Sequence, residues 1–243
     1  MYFHNYITNP QPNFITEWRQ DVRKEHWYHK LANGILIDVE SSLACVLYHY
    51  DRLIELETSV IEGIQKYNYQ QIIPNNSAIG IGNTKKWDFE YQAFILSYRR
   101  CLDYLARSIC TYFMNDFNSY RRLGSFLNKI NRPTITNHLI EIHTKYFESF
   151  EFVLSEGNRK SLRDRISHYE YLSVGAINLT SQGLILVGGA DELGIGENQN
   201  TLLSQVLETR VTNLQLCIRE LIHAFVDGMR NDQELQKSKT KKV

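Results

Sequence analysis

The stretch SLRDRISHYEY, residues 161–171, carries the side chains in this sequence best suited to chemistry. Arg163 and His168 are separated by four residues, Asp164 follows the arginine, and Ser167 precedes the histidine. An imidazole titrates near neutral pH and can give or take a proton. A guanidinium stays cationic and offers a planar fork of donors to phosphate oxygens. These are the parts for cleaving a phosphodiester without a metal: a proton shuttle, and a positive charge for what develops on phosphorus.

Spacing alone is weak support. With fifteen arginines and eight histidines, chance supplies about half of one such pair; requiring Asp or Asn after the arginine lowers that roughly tenfold. Helical order says more. At about 100° per residue, Leu162, Ile166 and Tyr169 share one side of a helix. Arg163, Ser167, Asp164 and His168 then follow one another round the other side as one polar stripe. Asp164 and His168 are four apart, so the carboxylate can reach the imidazole and set its tautomer. Arg163 and His168 lie about 140° apart, too wide for one helix to close on one phosphate, though two copies facing each other could. The alternative is a solvated helix face.

Other constellations are weaker. ELIH sets Glu220 three residues before His223, the spacing of a di-iron ligand pair, but such a site needs a second pair and further carboxylates. HLIEIH misses the zinc-protease spacing by one residue, which leaves His138 and His143 as helix-surface histidines. AIGIGNTKK and VGGADELGIG lack the lysine–hydroxyl ending of a phosphate-binding loop and read as plain loops. No G-x-S-x-G elbow is present. The expectation is no metal and no cofactor.

The elements that must position the motif are mostly helical. Leu43, Val46, Leu47, Tyr50, Leu53, Ile54, Val60, Ile61 and Ile64 make an apolar stripe within a helix from Ile37 to Tyr67. NYQQIIPNNSAIGIGN breaks it. A second helix, Trp87 to Met114, carries Tyr91, Ile95, Tyr98, Leu102, Leu105, Ile109 and Phe113 at steps of three and four. After a connector with one short helix, Pro133 and Thr134 suit the start of a third, with Ile135, Leu139, Ile142, Tyr146, Phe150 and Val153 on its apolar side. The motif opens a shorter fourth helix. YLSVGAINL, TSQG and LILVGG then read as strand, turn and strand, a hairpin over 172–188 with Gly183 at its turn. A last helix runs from Thr201 to Met229. The predicted organisation is an arm over 1–34, a main domain over 35–230 and a basic, disordered tail over 231–243. The class is all-α, a bundle of four to five main helices with one small inserted hairpin.

Composition sets bounds. Lys plus Arg and Asp plus Glu number 27 each, so no whole-protein field steers the chain onto nucleic acid. A phosphate partner must be met locally, and Arg99, Arg100, Arg121 and Arg122 could form such a surface, or could be solvated helix ends. Asp103 could face the same site from the second helix, or pair with Arg99 or Arg107. No run reaches the ~18 apolar residues of a membrane span, and MYFHNYITNPQPNF does not resemble a secretory signal. Cys45, Cys101, Cys110 and Cys217 stand singly, as buried thiols of a reducing cytoplasm would.

FILSYRRCLDYLARSI (94–109), followed after an intervening helix by LRDRISHYEY, resembles the HEPN superfamily (higher eukaryotes and prokaryotes nucleotide-binding domains). The shared hallmark is arginine, a polar residue, three further residues and histidine, here RDRISH. The resemblance covers about residues 37–230, and only the motif in it is specific. It implies a HEPN-like helical bundle that pairs as a homodimer with the motif helices meeting at a cleft. It further implies a metal-independent endoribonuclease, a toxin or defence component, acting on RNA and held by an antitoxin or other partner protein. On this chain His168 would act on the 2′-hydroxyl or the leaving oxygen, Arg163 would hold the scissile phosphate, and Asp164 would support them. The same resemblance admits a non-catalytic module that binds a partner protein, nucleotide or RNA.

Overall fold

The structure is a computed structural model that describes residues 18–66, 73, 77–82, 84–154, 162–168, 171, 176–180, 183–187 and 201–240. Residues 1–17, Tyr169 and the ADELGIGENQN loop lie outside these. The chain is mostly helical with a small antiparallel sheet. Four helices of fifteen residues or more dominate the described part.

Helix α1 (Glu25–Asn33) continues through a wider π-wound stretch, Gly34–Val39, into α2 (Glu40–Gln65). The periodicity places this helix start at Ile37, yet winding begins at Glu25. Gly34, which reads as a stop signal, instead marks a close approach: a Cβ there would stand 2.6 Å from the Ser108 hydroxyl oxygen. Trp18, ahead of α1, stacks on Tyr112 with ring centroids 5.7 Å apart. By length and composition the helical stretch Glu25–Gly63 could cross a membrane. Its residues Leu31, Ile35, Val39, Leu43, Val46 and Leu53 are buried, as in a core helix.

Helix α3 (Lys85–Tyr112) buries the six residues from Tyr91 to Ile109 that its spacing singles out. It ends in a crossed pair of bonds, Asn115 N–H to the Cys110 carbonyl and Met114 N–H to the Thr111 carbonyl. Met114 takes the left-handed conformation between them, φ 54°. After α4 (Leu123–Leu127), α5 (Pro133–Phe147) opens with proline in its first turn, where a missing N–H costs no helical bond. The chain tightens to a 3-10 turn at Glu148–Phe150 and enters α6 (Glu151–Leu154). The motif helix α7 is Leu162–His168.

The expected hairpin is β2 (Ala176–Thr180) against β3 (Gly183–Val187), with Thr180 opposite Gly183. Two short strands extend it, β1 (Ile79–Gly80) beside β2 and β4 (Thr201–Leu202) beside β3, in the order β1-β2-β3-β4. The glycine-rich stretch read as a plain loop thus supplies an edge strand. Helix α8 follows as Leu203–Thr240. It starts where expected and runs past Met229, through residues assigned to a disordered tail, because no glycine or proline interrupts NDQELQKSKT.

By internal packing the chain divides into two units: residues up to 43, 100–148 and from 214, and residues 44–99 and 149–213. The first has its core in Leu102, Leu105, Ile109, Leu139, Leu214, Leu221 and Phe225, and the second in Tyr91, Phe94, Tyr98, Phe150, Phe152 and Leu207.

Candidate functional site

Helix α7 belongs to the second unit. Leu162 turns inward and is 2% exposed, and Ile166 is half-buried. Arg163, Ser167 and His168 face out, and Asp164 and Arg165 lie half-buried. The helical wheel gives Leu162 inward and Arg163, Ser167 and His168 outward in this way, but it also sets Asp164 outward, where the structure leaves it half-buried like Ile166. Arg163 donates to the Asp164 carboxylate at 2.6 Å, so the contact shown for Asp164 is with its neighbour. An ion pair this accessible to water contributes little to stability.

Two arginines hold the Ser149–Val153 stretch that precedes α7 in the sequence. Arg99 donates to the Val153 carbonyl at 2.9 Å, and Arg210 donates to the Ser149 carbonyl at 2.8 Å. The Arg210 guanidinium also lies 4.8 Å over the Phe152 ring, and its carbonyl accepts the Tyr98 hydroxyl at 2.9 Å. Burial pulls the Arg210 pKa down. Arg99, a candidate for RNA contact, is thus engaged on the main chain. Beneath them Tyr91 is 1% exposed, and its hydroxyl has no hydrogen-bond partner among the described residues. Burial drives its pKa strongly up, and the positive charges of Arg165 and Arg210 pull the other way.

Next to the motif, the exposed Tyr171 ring meets Phe89 edge to face, with centroids 6.3 Å apart and planes at 86°. The Tyr171 hydroxyl donates to the buried Asp88 carboxylate at 3.1 Å. Neither ring is ionisable near neutral pH, so the pair carries no signal of the kind that marks Arg163 and His168.

Asp103 and Arg100 fall in the first unit. Asp103 accepts the Tyr120 N–H at 3.0 Å, while Arg107 pairs with Asp38. Arg100 and Arg122 are exposed and Arg121 is half-buried. Tyr120 also gives its carbonyl to His143 Nε2 at 2.9 Å and sets its hydroxyl 3.1 Å from Cys217 Sγ. His143, expected on the surface, is therefore corrected to a core residue, 7% exposed, whose pKa burial lowers. Burial pushes the Cys217 thiol up to about 12 and the Cys110 thiol higher still, which leaves both as unreactive thiols.

The His/Glu pairs set aside in the sequence meet in the first unit. His138, Glu141, Glu220 and His223 all line a groove of about 690 Å³ between α5 and α8. Lys145 takes both Glu220 oxygens at 2.8 Å, Tyr146 donates to one of them at 2.8 Å, and His138 pairs with Glu141 at 3.2 Å. The Lys145 contact holds the Glu220 carboxyl below its usual range. Among the described residues no three His, Cys, Asp or Glu side chains converge as metal ligands would.

No protein-family model, no curated protein and no solved structure matches this chain.

Proposed function

We propose that this chain is a metal-independent endoribonuclease of HEPN type, with Arg163 and His168 as its catalytic pair and Asp164 in support. The observation that carries the reading is the burial order in α7: Leu162 anchors the helix inward while Arg163, Ser167 and His168 are presented to solvent. In the proposed reaction, the imidazole takes the proton of a ribose 2′-hydroxyl, which attacks the adjacent phosphorus. The Arg163 fork stabilises the added negative charge on the phosphoryl oxygens. The bond to the 5′ oxygen breaks as that oxygen takes up the proton the imidazole had removed, and a 2′,3′-cyclic phosphate remains. Because the two side chains diverge by about 140° on one helix, the site is completed by a second copy of the chain.

Purified protein is expected to cut RNA in EDTA and to leave cyclic phosphate ends, with His168→Ala abolishing cleavage at unchanged fold by circular dichroism. RNA left intact across a broad panel of substrates at micromolar protein would sink the proposal. Complex formation with a partner protein that survives His168→Ala would point instead to the non-catalytic module. As a toxin or defence component, the active protein is expected to arrest growth when expressed, and His168→Ala is not.

A further inference from the structure

We infer that Phe89 and Tyr171 form a stacking platform for the bases of single-stranded RNA, beside the phosphate addressed by Arg163 and His168. This rests on the ribonuclease reading of α7 and adds to it a substrate class and two specificity-determining residues. Large aromatic side chains are ordinarily withdrawn from water, yet Phe89 is 58% exposed and Tyr171 57% exposed. They touch each other edge to face, so the two exposures belong to one patch.

Both rings are tied to one helix. Phe89 stands on the first turns of α3. Tyr171 is tethered at its far end, because its hydroxyl donates to Asp88, the residue before Phe89 on that helix.

Its place follows from the covalent chain. Tyr171 is three residues beyond His168, so their Cα atoms are no more than about 11 Å apart. That is the reach of one or two nucleotides. Exposed Lys85 precedes Phe89 by one helical turn on the same side of α3, and Lys86 is exposed next to it. Cations beside open aromatic rings are the elements of a single-strand site, in which the backbone tracks positive charge and bases lie on ring faces. Duplex RNA keeps its bases stacked on each other and offers none to such a surface.

The test uses the His168→Ala protein, which removes cleavage from the measurement, and a fluorescent single-stranded oligoadenylate carrying one 2-aminopurine. Binding by anisotropy is expected to come with 2-aminopurine quenching. Phe89→Leu and Tyr171→Leu keep apolar bulk but lose the ring face, and each should weaken binding about tenfold or more. Annealing the oligonucleotide to its complement should weaken binding to the unaltered platform comparably. Equal affinity of the leucine variants, equal affinity for duplex, or no binding at micromolar protein would each overturn the platform. Preferential binding of these rings to anionic lipid vesicles would overturn it too. RNA cleavage by wild type with ring-independent binding would leave the nuclease standing without the platform. Ring-dependent binding by a protein that never cuts RNA would leave the platform standing without the nuclease.

Discussion

His143 shows how a polar residue can sit in plain view of a helical pattern and be misplaced. It lies four residues after Leu139 and three before Tyr146, on the stripe that buries α5, yet its polarity reads as surface. The structure puts its ring in the core against the Tyr120 carbonyl. Burial depresses the folded-state pKa, so as pH falls the unfolded chain takes up the proton first. The contribution of His143 is therefore complete above the unfolded value of about 6.5 and declines as pH drops below it. Urea melts of wild type and His143→Gln on either side of that pH are expected to show the smaller loss on acidification in the variant. Equal losses would mean the ring is not buried neutral. The motif residues were easier to read, because a seven-residue helix with one inward leucine leaves the outward positions to arithmetic. Tyr171 and Phe89 were not legible as a pair, since nothing in the sequence ties position 171 back to position 88.

Among the elements, the long helices were legible wherever apolar residues recur at three and four. In α3 and α5 the marked residues are the buried ones, whereas in α2 only Leu43, Val46 and Leu53 of the described stripe are buried, with Glu57 beside them. Their ends were less so. Gly34 lies inside a helix because another helix passes close to it, a fact about tertiary contact rather than local preference. The two-residue strands β1 and β4 have no pattern of their own and exist only by pairing with the hairpin. The end of α3 carries a local cost, because Met114 holds a left-handed backbone that L side chains adopt at a penalty of about 1 kcal/mol. Met114→Gly is expected to raise stability by about that amount in urea melts, since glycine takes this position freely and the methionine side chain is largely exposed. A loss of stability would show that the side chain packs more than its exposure indicates.

At the scale of the whole molecule, balanced charge and a lone motif say little about partners. The widest inference is that one chain makes an incomplete site. Arg163→Ala and His168→Ala, each inactive alone, should regain activity when unfolded together and refolded as a mixture, because mixed dimers rebuild one cleft with one Arg163 and one His168. Random pairing makes about half of the dimers mixed, and that sets the ceiling. No recovery, with dimers present by light scattering, would place the pair within one chain. The connector between α3 and α4 has a different consequence, one of polymer statistics. Tyr120 joins Asp103, His143 and Cys217 across separations of 17, 23 and 97 residues. Loop closure grows only with the logarithm of length, so the third tie costs only about 1.3 kcal/mol more than the second. The three ties therefore differ little in what closing them costs, although they join α3, α5 and α8 across very different lengths of chain. A segment without regular structure is thereby the point at which three helices of one unit are tied together.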